Sequence, residues 1–155
     1  EDTVRFIEVR CQKKGVKTHL ALGKIGAVEI DSNQLSEALL NILDNAIDAS
    51  SSGGQISIRT FLLRGDQEYL NIEIEDTGEG ISEENIQKIF NPFFTTKPIG
   101  EGTGLGLAIT RRIIEEHGGS VKIESQLGKG TRVILVVAVW RPHSGQQHKK
   151  KFQMS

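Results

Sequence analysis

Hydrophobic and polar positions follow two different periods along this chain, and the switches between them predict its elements in order. Val4-Arg-Phe-Ile-Glu-Val-Arg10 alternates, which predicts a strand; Lys13-Lys-Gly15 reads as a turn and residues 16–22 as a second strand. The spacing then changes. Leu35, Leu39, Ile42, Leu43, Ala46 and Ile47 share one face at about 100° per residue, predicting a helix from an N-cap at Asp31 or Ser32 to Ser50. After the loop Ser50-Ser-Ser-Gly-Gly54, strands are expected over residues 55–63 and 69–75, joined by the hairpin Arg64-Gly-Asp-Gln67. Ser82 with Asn85 starts a short helix towards Phe90. Residues 91–103, with Pro92 and Pro98, form an irregular segment of the kind usually functional or mobile. A helix over residues 105–117 is closed by Gly118-Gly119, and strands over 120–126 and 131–139 flank Leu127-Gly-Lys-Gly130. The sum is a mixed sheet with helices on one face, an α/β two-layer sandwich.

Composition narrows the class. The chain has 155 residues, enough for one domain with a core, with 37% hydrophobic and 25% charged residues and a formal net charge of -1. That balance gives no reason to expect nucleic acid or a membrane surface as partner. Lone Cys11 excludes an internal disulfide framework and fits a reducing, cytoplasmic setting, and no apolar run approaches the roughly 18 residues of a spanning helix. Residues 141–155 lack acids and apolar periodicity and carry Lys149-Lys-Lys151, so a domain over 1–140 and a disordered basic tail are expected.

Three segments carry chemistry. Glu37, Asn41, Asp44, Asn45 and Asp48 form a polar stripe on the long helix; asparagine is a poor interior helix residue, and its amide oxygen is a hard ligand suited to Mg²⁺. Asp76-Thr-Gly78-Glu-Gly80-Ile81 ends a strand in a flexible turn. A carboxylate there suits the exocyclic amine of adenine, the glycines let a planar base lie against main chain, and Ile81 is placed to pack on its face. Gly100-Glu-Gly102-Thr103-Gly104-Leu105-Gly106-Leu107 leads into a helix, where bare N–H groups at the positive end favour phosphate. It is neither a P-loop nor a dinucleotide fingerprint. Before it, Phe90-Asn-Pro-Phe93-Phe94-Thr-Thr-Lys97 sets aromatics, read as anchors packing the loop, beside a lysine able to reach a terminal phosphate.

In order, Asn41-x-x-x-Asn45-Ala46, Asp76-x-Gly78-x-Gly80, Phe90-x-Pro92-Phe93-Phe94 and Gly102-x-Gly104-x-Gly106-Leu107 resemble the N, G1, F and G2 boxes of the ATP-binding catalytic domain of sensor histidine kinases, within the Bergerat-fold superfamily of gyrase, Hsp90 and MutL-type ATPases. The likeness runs from about Val4 to Val139. It implies a five-stranded mixed sheet with three helices, with ATP and Mg²⁺ as cofactors. Asn45, with Asn41 nearby, falls in the Mg²⁺–phosphate region, and Asp76 on the adenine amine with Gly78, Gly80 and Ile81 lining the base. Phe93 becomes a lid hinge, residues Gly102, Thr103, Gly104, Leu105, Gly106 and Leu107 face the phosphates, and Thr131 lies near Asp76.

Hydrolytic relatives place a glutamate four residues before the metal-binding asparagine; here Asn41 stands there, and an amide takes no proton, so slow hydrolysis is expected. Where many relatives have a basic residue near the phosphates this chain has Asp48, and Lys97 is assigned that duty. None of His19, His117, His143 and His148 sits in the family's phosphorylation motif. The acceptor histidine and its dimerising helices are therefore expected before Glu1, with a response regulator downstream, this piece monomeric and the intact kinase a homodimer. Two other readings stay open: an anti-sigma-type serine kinase, and a non-catalytic binding module.

Overall fold

Strand pairing sets the frame on which the site is hung. In the computed structural model, which describes residues 2–141, the elements are α1 (Asp2–Lys14), β1 (Lys17–Leu22), α2 (Ser32–Ala49), β2 (Gln55–Leu63), β3 (Tyr69–Asp76), α3 (Glu83–Ile86), α4 (Gly106–Glu116), β4 (Ser120–Gln126) and β5 (Gly130–Ala138). The sheet order is β1-β2-β3-β5-β4, with β1 parallel to β2 and every other pair antiparallel. A parallel pair needs a crossover, and α2 supplies it. Alternate residues turn Ile56, Ile58, Ile72, Ile74, Val133, Leu135 and Val137 into the core beneath the helices. The other face carries Arg59 and Arg132 on either side of Glu73, at 3.7 and 2.7 Å. The mixed sheet and one-sided helical layer expected from sequence are both present.

The long helix forms as its pattern predicts. Asp31 Oδ1 accepts the N–H groups of Asn33 and Gln34 at 3.0 Å each, satisfying two otherwise unpaired donors. Ala38, Ile42, Leu43, Ala46 and Ile47 are buried, with Leu35 and Leu39 packed partly buried against them. Ser50 closes the helix, donating its hydroxyl to the Ala46 carbonyl at 2.7 Å.

The expectation of a strand at residues 4–10 is wrong: those residues lie within helix α1. Seven residues of mixed character fit either period, and the decision comes from Cys11, outside that window. Ile7 and Cys11, one helical turn apart, are each 1% exposed, while Phe6 and Val9 face solvent. Arg10 pairs with Asp44 of α2, and Lys14 donates to the Ile47 carbonyl at 2.6 Å, so two cations tie α1 to α2. Ile7→Ala is expected to cost about 2–5 kcal/mol in urea unfolding, as for other buried aliphatic truncations. Phe6→Ala, on the exposed side, should stay within about 0.5 kcal/mol.

The short helix after Ser82 is only Glu83–Ile86. Beyond it the chain continues as tight turns, with Lys88 N–H bonded to the Asn85 carbonyl and Asn91 N–H to that of Lys88, until Pro92 interrupts. Helix α4 begins one residue later than expected, at Gly106. Of the tail, Arg141 is described, its Nε bonded to Glu68 at 2.6 Å; residues 142–155, with His143 and His148, lie outside the described residues.

Candidate functional site

The end of β3 meets the C-terminal turn of α2. Glu79 N–H donates to the Ala49 carbonyl at 3.2 Å, which fixes the turn after Asp76 against the helix. A Cβ at Gly78 would lie 2.5 Å from that same carbonyl, so no larger residue fits. At Gly80 φ is +72°, and a Cβ would come within 2.1 Å of the Gln126 carbonyl. Both glycines are thus required by backbone approach, a reason complete without any base lying on them. On the far side, Ile81 N–H donates to Ser125 Oγ at 2.8 Å, and Ser125 Oγ lies 2.8 Å from Thr131 Oγ1. Thr131 in turn is the β5 partner of Asp76. Ser125 had no signal in its own segment; its partner in the turn comes from 44 positions away.

Asp76 is 6% exposed. Its Oδ1 accepts Gly78 N–H at 2.8 Å. Burial pushes the carboxyl above the usual aspartate range, backbone N–H groups of Gly78 and Thr131 pull the other way, and Glu75 and Glu79 add to the rise. A buried acid held at a strand end by main-chain donors is costly to maintain and suited to receiving a specific N–H donor.

The polar stripe of α2 is divided among three neighbours. Asp44 turns to Arg10 of α1, away from the other motif residues. Asn41 donates its amide to the Gly106 carbonyl at 3.2 Å, a carbonyl that also accepts from Thr110 Oγ1 at 2.9 Å. The Asn41 bond holds the first residue of α4 beside α2. Asp48 pairs with Lys97 at 2.5 Å. Asn45 makes no side-chain hydrogen bond among the described residues, leaving its amide available between Asn41 and Asp48.

Helix α4 starts without a side-chain cap. The N–H groups of Gly106, Leu107 and Ala108 have no backbone acceptor among the described residues, the first such bond being Ile109 N–H to Leu105 at 2.9 Å. A Cβ at Gly106 would meet nothing nearer than 3.6 Å, so here packing does not require glycine. Gly106→Ala should leave the fold intact, gain up to about 0.5–1 kcal/mol of helix stability, and still weaken phosphate binding. Calorimetric titration with nucleotide beside thermal melting would check it. The Leu107 side chain packs against the core, so only its backbone is left for a ligand. Thr103 Oγ1 accepts Leu105 N–H at 3.2 Å, and Leu105 flanks the helix entrance.

Between these parts runs the segment 94–103. Its base is closed by Phe93 N–H on the Gly104 carbonyl at 2.8 Å. Both residues have positive φ, +68° and +67°, unusual for a phenylalanine. Phe93 is 75% exposed, which corrects its reading as an anchor. Phe90 and Phe94 are partly buried, and the Arg111 guanidinium lies 5.3 Å from the Phe90 ring. Gly102 sits inside the loop near Thr95 and Lys97. Among the described residues no group of three or more His, Cys, Asp or Glu could hold a metal alone. The amide of Asn45, the buried carboxylate and the three bare N–H groups instead fit a Mg²⁺–nucleotide, where phosphate supplies the remaining metal ligands. An open groove between α1 and β1, lined by Glu8, Gln12, Lys17 and His19, contains none of these residues.

Fold and site together define the class: this chain belongs to the family of histidine kinase-, DNA gyrase B- and HSP90-like ATPases, whose profile matches residues 30–141. Sensor kinase CckA of Brucella abortus is 36% identical over 141 residues, which cover 83% of this chain and 15% of CckA. The catalytic domain of histidine kinase ThkA superposes with a TM-score of 0.76 at 32% identity, covering 88% of each chain. Full-length ShkA in complex with AMPPNP gives a TM-score of 0.76 at 26% identity over 88% of this chain and 28% of ShkA. The chain spans between 15% and 24% of the length of curated relatives such as CckA that it matches. No helix among the described residues is long and apolar enough to cross a membrane.

Proposed function

We propose that this chain is the ATP-binding catalytic domain of a sensor histidine kinase, donating the γ-phosphoryl of ATP to a histidine on a separate dimerisation domain upstream in the same polypeptide, with a response regulator receiving it next. The observation that supports this most is that α2 joins the three parts: its C-terminal turn holds the turn after buried Asp76, its Asn45 amide is free one turn earlier, and its Asn41 holds the uncapped start of α4. Asp76 accepts the adenine amine, which guanine does not present, and Gly78, Gly80, Ile81 and Thr131 shape the base pocket around it. Mg²⁺, when bound with the nucleotide, neutralises phosphate charge. Asn45 holds it, Asn41 keeps α4 in place, and the N–H groups from Gly106 onward receive phosphate oxygens. Gly102, Thr103 and Gly104 let the lid approach, and Lys97 supplies the cation. With Asn41 where a general base would stand, water is not activated, and the phosphoryl group is kept for transfer. The presence of AMPPNP in full-length ShkA is consistent with such a site.

Thermal melting with Mg-ATP, Mg-ADP and Mg-GTP tests the binding half: only the adenine nucleotides should raise the midpoint, with phosphate release from ATP near background. For transfer, the intact polypeptide carrying this domain is incubated with γ-radiolabelled ATP. Acid-labile, base-stable label supports histidine as acceptor. Acid-stable label on a separate protein would favour the serine-kinase reading, and no nucleotide response at all would leave a binding module.

A further inference from the structure

Among the described residues, the segment 94–103, read above as the lid, is tied to the rest of the domain by one ion pair, between Lys97 and Asp48 of α2. Its other hydrogen bonds are local: Lys97 N–H to Thr95 Oγ1 at 3.1 Å, Glu101 N–H to Pro98 at 3.0 Å, Phe94 N–H to Asn91 at 3.1 Å and Leu105 N–H to Thr103 Oγ1 at 3.2 Å. Among the described residues, only the Lys97 side chain makes a polar contact from this segment to the body of the domain, and it goes to Asp48 at 2.5 Å. Asp48 stands three residues after Asn45, on the same stripe of α2 as Asn41. Its carboxylate therefore occupies, electrostatically, the place of an anion, with Lys97 as counterion. At both ends of the segment Phe93 and Gly104 adopt positive φ, and Ile99 at the loop's outer turn is fully exposed.

We propose that Asp48 is a positioning residue that competes with nucleotide phosphate for Lys97. In the free domain the Asp48–Lys97 pair latches the lid to α2. When a triphosphate enters, Lys97 leaves the carboxylate for the terminal phosphate, and the lid is held by the nucleotide instead. ADP, lacking that group, leaves the latch in place. The two side chains are 45% and 33% exposed. A pair that open to water holds by roughly two- to five-fold, weak enough for a triphosphate to displace and too weak to exclude it. This inference rests on the ATP-site reading above.

The test is a cycle of Asp48→Asn, Lys97→Gln and the double variant, with two readouts. Amide hydrogen exchange across residues 94–103 is followed without nucleotide, and dissociation constants for ATP and ADP are measured by calorimetry with excess Mg²⁺. Each single variant should speed lid exchange to the same extent, with no further change in the double. Asp48→Asn should tighten ATP roughly two- to five-fold, the reciprocal of the lost latch. Lys97→Gln should weaken ATP about ten-fold, as for a lost charge-assisted bond, and ADP by far less. In the Lys97→Gln background, Asp48→Asn should give no gain. A gain that persists there would mean simple charge repulsion and overturn the proposal, as would unchanged lid exchange in either single variant. If the unaltered chain binds neither nucleotide, the ATP-site reading fails and the proposal with it. If it binds ATP normally while the cycle shows no coupling, the latch alone is wrong.

Discussion

Asp76→Asn should abolish the response to adenine nucleotides while making the free domain no less stable, and more stable at neutral pH. A ligand at 100 times its dissociation constant adds about 2.7 kcal/mol, or about 5–10 °C for a domain of this size, and that shift should vanish in the variant. The gain in the free state follows from burial. The Asp76 carboxyl titrates above its ordinary value because the folded chain removes it from water. An acid with a raised folded-state value favours the fold while protonated, and that contribution is lost as pH rises through the folded value. At neutral pH the ionised group is thus a net cost, and a neutral amide removes it while its Oδ1 keeps the Gly78 N–H. The advantage of the variant should shrink as pH falls below the folded value, because the natural residue then becomes neutral as well. ATP affinity of the natural chain should weaken over the same acidic window, since a protonated acid is a poorer acceptor. Melting curves for both proteins across acidic to neutral pH, with and without Mg-ATP, check all of this. A variant that melted lower at neutral pH without ligand would remove the idea that the site stores a desolvation cost.

The second large effect is expected at Gly80. Replacement by alanine meets two penalties: a left-handed backbone, about 1–2 kcal/mol, and a Cβ driven against the Gln126 carbonyl, about 1–3 kcal/mol more. The contact distance of 2.1 Å is to main chain, which cannot rotate aside. A loss of about 2–5 kcal/mol is a large share of the roughly 5–15 kcal/mol that holds a domain together. Gly128 is the internal control. It lies in the neighbouring β4–β5 turn with φ +79° and nothing within 4 Å of a Cβ, so Gly128→Ala should incur the conformational term alone. Equal midpoints for the two variants in denaturant titration would show that the close approach at Gly80 costs nothing.

Much of this was legible in the sequence. The span of α2, the β2–β3 hairpin, β4, β5 and the Gly118-Gly119 stop were all expected, because each is set by local periodicity and local turn chemistry. The motif residues were legible for another reason. Asparagines inside a helix and glycines at a helix entrance conflict with local propensity, and such conflicts concentrate at functional sites. Helix α1 was misread because its deciding residue, Cys11, falls beyond the alternating stretch. The anchor reading of Phe93 failed because no local rule tells an exposed phenylalanine from a buried one.

By itself the sequence determined which segments are helix and strand over most of the chain, and which residue types could meet adenine, phosphate and Mg²⁺. Only the tertiary structure decided how those residues divide their work. The stripe on α2 is one surface in sequence, yet Asp44 faces α1, Asn41 holds α4 and Asp48 takes the lid lysine. Glycines that look alike in the chain separate too: Gly78 and Gly80 are fixed by carbonyls from distant segments, whereas a Cβ at Gly106 would make only ordinary contact with the Asn41 side chain at 3.6 Å. The physical reason is the range of the forces involved. Periodicity and capping depend on neighbours within a turn or two, whereas a side chain's partner depends on where docking brings residues tens of positions away.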